Sequence, residues 1–364
     1  MLISIIPTLK VEKGVNMEYR SVGGRLALVA AGLVATLGLA ACASTDAAAP
    51  AASSGASNQE VTLSLVAYST PQAAYEKIIA AFQKTDAGKN VKFSQSYGAS
   101  GDQSRAVESG LPADFVMFSL ETDMTRLTKA GIVADDWNSD ANKGILTDSV
   151  VALVTRKGNP KGIKSFADLT KPGVDVITPN PFSSGGARWN IMAVYGSQTQ
   201  AGKSEAQAAA FLTKTLKNVS VQDDSARAAL QTFTGGKGDV LISYENEAIF
   251  AQQNGQDIDY VVPDSTLLIE NPAAVTKNSK HPKEAKAFLD YVHSPEAQKI
   301  FTENGYRPVA DGGDTAGQDF PKPSGLFTIA DLGGWAAVAT KYFDVDKGIV
   351  TDIERKLGVS VEKK

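Results

Sequence analysis

Val174-Asp175-Val176-Ile177-Thr178 runs through Pro179 into Asn180-Pro181-Phe182-Ser183-Ser184-Gly185-Gly186, and the chain then turns largely apolar over residues 187–195. The first five residues read as a short buried strand. The middle stretch is a turn of small residues, and the last nine read as a helix. The same order of strand, serine or glycine turn, and helix recurs along the chain. Residues 61–67 (VTLSLVA) alternate as a strand does. Ser69-Thr70-Pro71 follows, and Pro71 behind hydroxyl residues opens a helix that runs to position 82. Residues 91–96 form the next expected strand, Ser100-Gly101 the turn, and DQSRAVESG the helix. Strands over 113–119, 219–223 and 239–243 lead into helices over 122–130, 226–233 and 246–253. A βαβα rhythm of this kind specifies an α/β fold with a mostly parallel sheet flanked by helices. The apolar strand 149–156 is expected to cross to a second lobe and residues 267–276 to return, followed by helices over 281–292 and 294–304.

These turns share a chemistry. The first N–H groups of a helix have no partner inside it, and the helix start carries a partial positive charge, which favours anions. Glycine lets an anion approach the backbone, and serine adds a hydroxyl donor. Hydroxyl caps are common, so one such turn says little. Four of them, at Ser69-Thr70, Ser100-Gly101, Ser184-Gly185-Gly186 and Ser225-Ala226, carry weight if they meet at the carboxyl ends of the strands, where open α/β sheets bind ligands. Arg188 and Arg227 lie just inside two of these helices and are expected to support the loops from behind.

Composition narrows the classes. The chain has 364 residues, 43% hydrophobic and 21% charged, with a formal net charge of −4. That is ordinary for a globular protein and gives no basic footprint for nucleic acid. Cys42 is the only cysteine, so no internal disulfide can form, and the histidines are His281 and His293 alone. Both fall in an expected amphipathic helix, which points to no metal centre, and no cofactor is called for. A hydrolase of sulfate or phosphate esters is the competing class, but no base is spaced to activate a serine nucleophile. Arg20 and Arg25 precede LALVAAGLVATLGLAA, an apolar run suited to a signal peptide and too short for a confident membrane span. It ends at Leu39-Ala40-Ala41-Cys42, which resembles a bacterial lipobox, and Met17 is an alternative start. Residues 1–41 are thus expected to be a signal peptide. Residues 42–59, rich in Ala and Ser, are expected to form a tether anchored through lipid on Cys42 to the outer face of the membrane.

QSYGASGDQ (residues 95–103) and NPFSSGGARWN (180–190) resemble the two signature motifs of the periplasmic sulfate-binding proteins. The likeness continues, in order, through RKGNPKG (156–162), GDVLISYENEA (238–248), GYRP (305–308), Phe327-Thr328 and Gly333-Gly334-Trp335. It implies a two-lobed periplasmic-binding-protein clamshell, with residues 60–150 and 267–364 in one lobe, 151–266 in the other, and the ligand between them. It implies a monomeric, non-enzymatic receptor that delivers sulfate to the permease and ATPase subunits of an ABC importer. Molybdate, tungstate and thiosulfate are the alternative ligands. By motif, the implied ligand contacts are Ser69, Ser100, Ser184, Gly185, Gly186, Ala226 and Tyr244. The family commonly has aspartate at the place of Ser69, lysine at those of Asp102 and Phe182, and tryptophan at that of Tyr244.

Overall fold

The computed structural model describes residues 60–309 and 313–362; the expected signal segment, Cys42 and the tether lie outside the described residues. In chain order the elements are β1 (Val61–Tyr68), α1 (Gln72–Phe82), β2 (Val91–Gly98), α2 (Ser100–Glu108), β3 (Phe115–Met117), α3 (Glu121–Lys129) and β4 (Ile145–Arg156). Then come β5 (Val176–Pro179), α4 (Gly185–Gln200), α5 (Glu205–Lys217), β6 (Val219–Asp223), α6 (Ala226–Thr234), β7 (Val240–Tyr244), α7 (Glu245–Gln253) and β8 (Ile258–Val261). The chain ends with β9 (Ser265–Val275), α8 (Pro282–Val292), α9 (Pro295–Glu303), β10 (Gly325–Phe327), α10 (Gly334–Phe343) and α11 (Ile349–Lys356).

The strands form one continuous mixed sheet in the order β2-β1-β3-β9-β4-β7-β5-β6, with β10 on β9 and β8 on β4. Parallel pairing holds β2, β1 and β3 together at one end and β7, β5 and β6 at the other. Helices cover both faces, so the inner strands are buried on both sides and read as almost unbroken apolar runs. In β1, Leu63, Leu65 and Ala67 enter the main core, while Val66 faces a second cluster with Val107, Val116 and Phe118. Between the two parallel groups run the long antiparallel strands β4 and β9. Residues 145–150 of β4 lie against β9, and residues 151–155 against β7. β9 makes the complementary change, from β4 to β3, at Pro272-Ala273.

Helix α4 is enclosed by protein along nearly its whole length, from Gly185 to Ser197. A helix surrounded in this way needs no polar stripe, which is why its sequence shows none. Trp189 packs edge-on against Trp335 of α10 at 4.5 Å. Several boundaries differ from the sequence expectation, among them the end of α4 at Gln200 and not 195, and β3 at Phe115–Met117 and not 113–119. α4 begins at Gly185 and not at 187, and α2 at Ser100 and not at 102, because glycine and serine weaken a helical pattern even where they start the helix. β4 begins at Ile145 and not at 149, because Thr147 and Asp148 interrupt its apolar run. The histidines are part-buried caps at either end of α8.

Asp148 of β4 lies directly opposite Glu270 of β9, and its backbone pairs with that of Arg307. Its Oδ1 is buried without a hydrogen-bond partner. Burial, reinforced by Glu270 and opposed by Arg307, pushes its pKa from 3.8 up to about 8. The folded chain therefore holds a proton that the unfolded chain releases near pH 4. Between about pH 4 and about pH 8 this group favours unfolding progressively as pH rises. Asp148→Asn should accordingly gain stability over the parent at pH 9 and much less at pH 5, read by urea unfolding. An equal difference at both pH values would show that this carboxyl does not govern the slope.

Candidate functional site

The carboxyl ends of β1, β2, β5, β6 and β7 lead directly into helix starts, and there the expected site residues lie. Ser184 caps α4, its hydroxyl accepting the Ala187 N–H at 3.3 Å. Gly185 and Gly186 are the first two helical residues. Ser225 caps α6 in the same way, its hydroxyl accepting the Ala228 N–H at 3.2 Å, and leaves Ala226 as the first helical residue. Ser100 is the first residue of α2, and Tyr244 closes β7 at the cap of α7. The N–H groups of Ser100, Gly185, Gly186 and Ala226 find no acceptor among the described residues, and all four residues are buried. Each amide belongs to the first turn of a helix, where the partial positive charge concentrates.

These starts touch one another. The Gly101 N–H donates to the Ser183 carbonyl at 3.2 Å, joining α2 to the loop before α4. A methyl group placed on Gly186 would lie 3.3 Å from Ala226 Cβ and 3.4 Å from Tyr244 Cε1. Arg227 brings in the turn after β1, because its Nη2 donates to the Thr70 carbonyl at 3.0 Å. Thr70 is buried with its hydroxyl 2.9 Å from that of Tyr306. Ser69, part-buried, joins the group through Thr70.

The charged neighbours are committed elsewhere. Arg227 makes a two-pronged ion pair with the fully buried Glu247, at 2.9 and 2.7 Å, and stacks on Phe250. Arg188 donates from Nε to the Pro181 carbonyl at 2.8 Å and lies over the Phe343 ring, so it braces the loop of residues 180–186 from behind. Its surroundings, burial above all, bring its pKa down to about 10, so it remains charged at neutral pH. Asp102 pairs with Arg105, Glu245 with Arg307, and Asp224 is exposed. Asp123 is buried and accepts the Ser100 hydroxyl at 2.7 Å, with Arg126 beside it. That bond commits the Ser100 hydroxyl hydrogen in this structure and leaves its backbone amide as the free donor.

One residue of this group has no counterpart in the sequence expectation. Ser119, fully buried just beyond β3, accepts the Trp189 indole N–H at 2.8 Å and the Asn271 amide at 3.2 Å on its carbonyl. Its own N–H donates to the Ser100 hydroxyl at 2.9 Å, and its hydroxyl lies 2.6 Å from the Tyr244 phenol. The signal was present in outline, since Ser119 ends an apolar strand just before a helix. The partners that give it significance come from strands and helices far along the chain.

The family model of bacterial extracellular solute-binding proteins matches residues 63–307. A sulfate-binding protein of Synechococcus elongatus is 48% identical over 301 residues, 80% of this chain and 86% of that protein. A thiosulfate-binding protein of Pseudomonas aeruginosa is 34% identical over 316 residues, 82% and 94% of the two chains. Among solved structures, the sulfate-binding protein SubI of Mycobacterium tuberculosis superposes with a TM-score of 0.76 at 44% identity, covering 78% of this chain and all of that one. The mixed sheet with helices on both faces is therefore the periplasmic-binding-protein fold, in agreement with the expected class.

The two glycines differ in how tightly they are held. A Cβ on Gly185 would fall 2.8 Å from Ser119 Cβ and 2.9 Å from Leu120 Cγ, inside contact distance, whereas Gly186 has room within a few tenths of an ångström. Gly185→Ala should destabilise the fold by about 1–3 kcal/mol, the usual cost of overpacking a filled interior. Gly186→Ala should cost clearly less, with urea melts of the two variants as the measurement. Equal losses would contradict the assigned packing.

Proposed function

We propose that this chain, which belongs to the bacterial extracellular solute-binding protein family, captures sulfate among the helix starts just described and hands it to an ABC importer. The observation that carries this reading is the gathering of buried, unengaged amides at α2, α4 and α6, with the neighbouring carboxylates taken up by arginines or hydroxyls or turned to solvent. Relatives named for sulfate, at 48% and 44% identity, support it.

At neutral pH sulfate carries no proton and only accepts hydrogen bonds. Amides of Ser69, Ser100, Gly185, Gly186 and Ala226, the Ser184 hydroxyl and the Tyr244 phenol would satisfy it, while the Ser184 amide is held by the Asn180 carbonyl, and the charge would spread through oriented peptides. Arg188 and Arg227 would hold the loops without touching the anion. Hydrogen phosphate brings an O–H for which such a cage has no acceptor. A buried polar group left unpaired costs about 1–3 kcal/mol, and sites built on hydrogen-bond matching discriminate by about 10⁴.

The reading places residues 60–150 and 267–364 in one lobe and 151–266 in the other, supported by the change of partners along β4 and β9. On that division the bonds from Gly101 to Ser183, Trp189 to Ser119 and Arg227 to Thr70 join the lobes. An anion bound by donors from both lobes favours the closed form, which is the form the permease and ATPase subunits would recognise. A lipid on Cys42 and the tether over 42–59 would keep the receptor at the outer membrane face, at high effective concentration near the importer. The receptor acts as a monomer and turns over no substrate in this reading.

Titration calorimetry of the purified protein with sulfate, thiosulfate, molybdate and hydrogen phosphate tests the proposal. Sulfate should bind tightest, and hydrogen phosphate about 10³–10⁴ times more weakly. Tighter binding of thiosulfate or molybdate would reassign the ligand within the fold, and phosphate binding equal to sulfate would refute the donor cage.

A further inference from the structure

A phenol is an ambiguous group in a cage that must only donate. Its oxygen carries a proton to give and lone pairs that accept, so an uncapped tyrosine would take the O–H of hydrogen phosphate. Tyr244 stands at this point of the site, within van der Waals distance of the place a methyl on Gly186 would occupy. Two polar side chains flank its oxygen. The Ser119 hydroxyl is 2.6 Å away, and nothing else among the described residues bonds to that hydroxyl. The Asn271 side chain lies close by, its amide donating to the Ser119 carbonyl at 3.2 Å. The orientation of Asn271 is set by its surroundings. Its Oδ1 accepts the Tyr68 hydroxyl at 2.9 Å and the Thr147 hydroxyl at 3.3 Å, so its NH₂ is turned toward Ser119.

We propose that Ser119 is a specificity-determining residue: its hydroxyl donates to the Tyr244 oxygen, occupies the lone pair that would accept an O–H, and leaves the phenol its own O–H to offer the anion. This rests on the sulfate reading above and explains how a tyrosine can serve in a donor-only site. Burial raises the phenol's pKa well above 10, so it keeps that proton at physiological pH, while the neighbouring Ser119 and Asn271 side chains act in the opposite sense. Ser119 acts on the ligand through Tyr244 and is a positioning residue. It also belongs to the strand group of β3, whereas Tyr244 belongs to that of β7, so the phenol is capped only where the two groups meet.

The test compares sulfate and hydrogen phosphate affinities at pH 8 by calorimetry for the full chain and for Ser119→Ala, Ser119→Cys, Tyr244→Phe and the double Ser119→Ala/Tyr244→Phe. The unaltered chain should prefer sulfate strongly. Ser119→Ala should keep sulfate affinity within a few-fold and gain about tenfold or more toward hydrogen phosphate, since a lone pair becomes free to accept its O–H. Ser119→Cys, whose thiol fills the space but donates weakly, should shift the ratio the same way and guards against a folding defect in the alanine variant. Tyr244→Phe should lose about tenfold toward sulfate without gaining phosphate, and the double variant should lose the phosphate gain, because the accepting oxygen is gone. Two results overturn the inference: an unchanged sulfate-to-phosphate ratio in both Ser119 variants, or a loss of sulfate in Ser119→Ala as large as in Tyr244→Phe with no phosphate gain, which would make Ser119 itself the donor. Absence of sulfate binding in the unaltered chain would take down the sulfate reading too, whereas tight binding with flat variants removes only the role of Ser119.

Discussion

A peptide N–H inside a protein has to find an acceptor, and the starts of α2, α4 and α6 hold several that find none among the described residues. Helix geometry makes this unavoidable, because the first turn has no carbonyl behind it. Serine caps meet part of the demand: the hydroxyls of Ser184 and Ser225 take the third amide of α4 and of α6. The first amides remain, and the sheet places them side by side. Much else in the structure follows from keeping that arrangement compact. Gly185 is held against Ser119 with no space for a side chain, Gly101 is tied to Ser183, and α4 is enclosed along its length so that its start cannot drift.

Charge is managed by the same economy. Full charges near the helix starts are neutralised among themselves: Arg227 with Glu247, Arg307 with Glu245, Arg105 with Asp102. The pairs of the buried Glu247 and Glu245 lose much of their attraction to desolvation, and their effect here is to keep carboxylates from the amides. Arg188 is the exception in having a carbonyl and an aromatic ring as its contacts, not a carboxylate. Its positive field reaches the loop it braces without competing for the loop's donors. A basic side chain in the cage would bind anions more indiscriminately than oriented peptides do, because a point charge does not read protonation state.

Much of this was legible along the chain. Alternation and serine-glycine turns identified each of the strand-to-helix units, and the resemblance of residues 95–103 and 180–190 to known motifs pointed to the residues that the fold brings together. Boundaries were the weak point. Gly185, Gly186, Ser100 and Thr147 lower local propensity, so the pattern places helices and strands two to four residues late where tertiary contacts extend them. Ser119 escaped notice because nothing local distinguishes a serine at the end of one strand from any other. Its role comes from Tyr244, 125 residues later, from Asn271, and from Trp189.

The sequence by itself determined the class of fold, the order of the units and the kind of chemistry at their ends, because periodicity, capping and backbone donors are properties of a few consecutive residues. Only the tertiary structure decided which donors remain free, which carboxylates are neutralised and what flanks the Tyr244 phenol. Most of those outcomes depend on pairings between different elements, from 20 residues apart for Arg227 with Glu247 to 152 for Asn271 with Ser119, set by how β4 and β9 carry the chain from one group of strands to the other, and no local pattern encodes them.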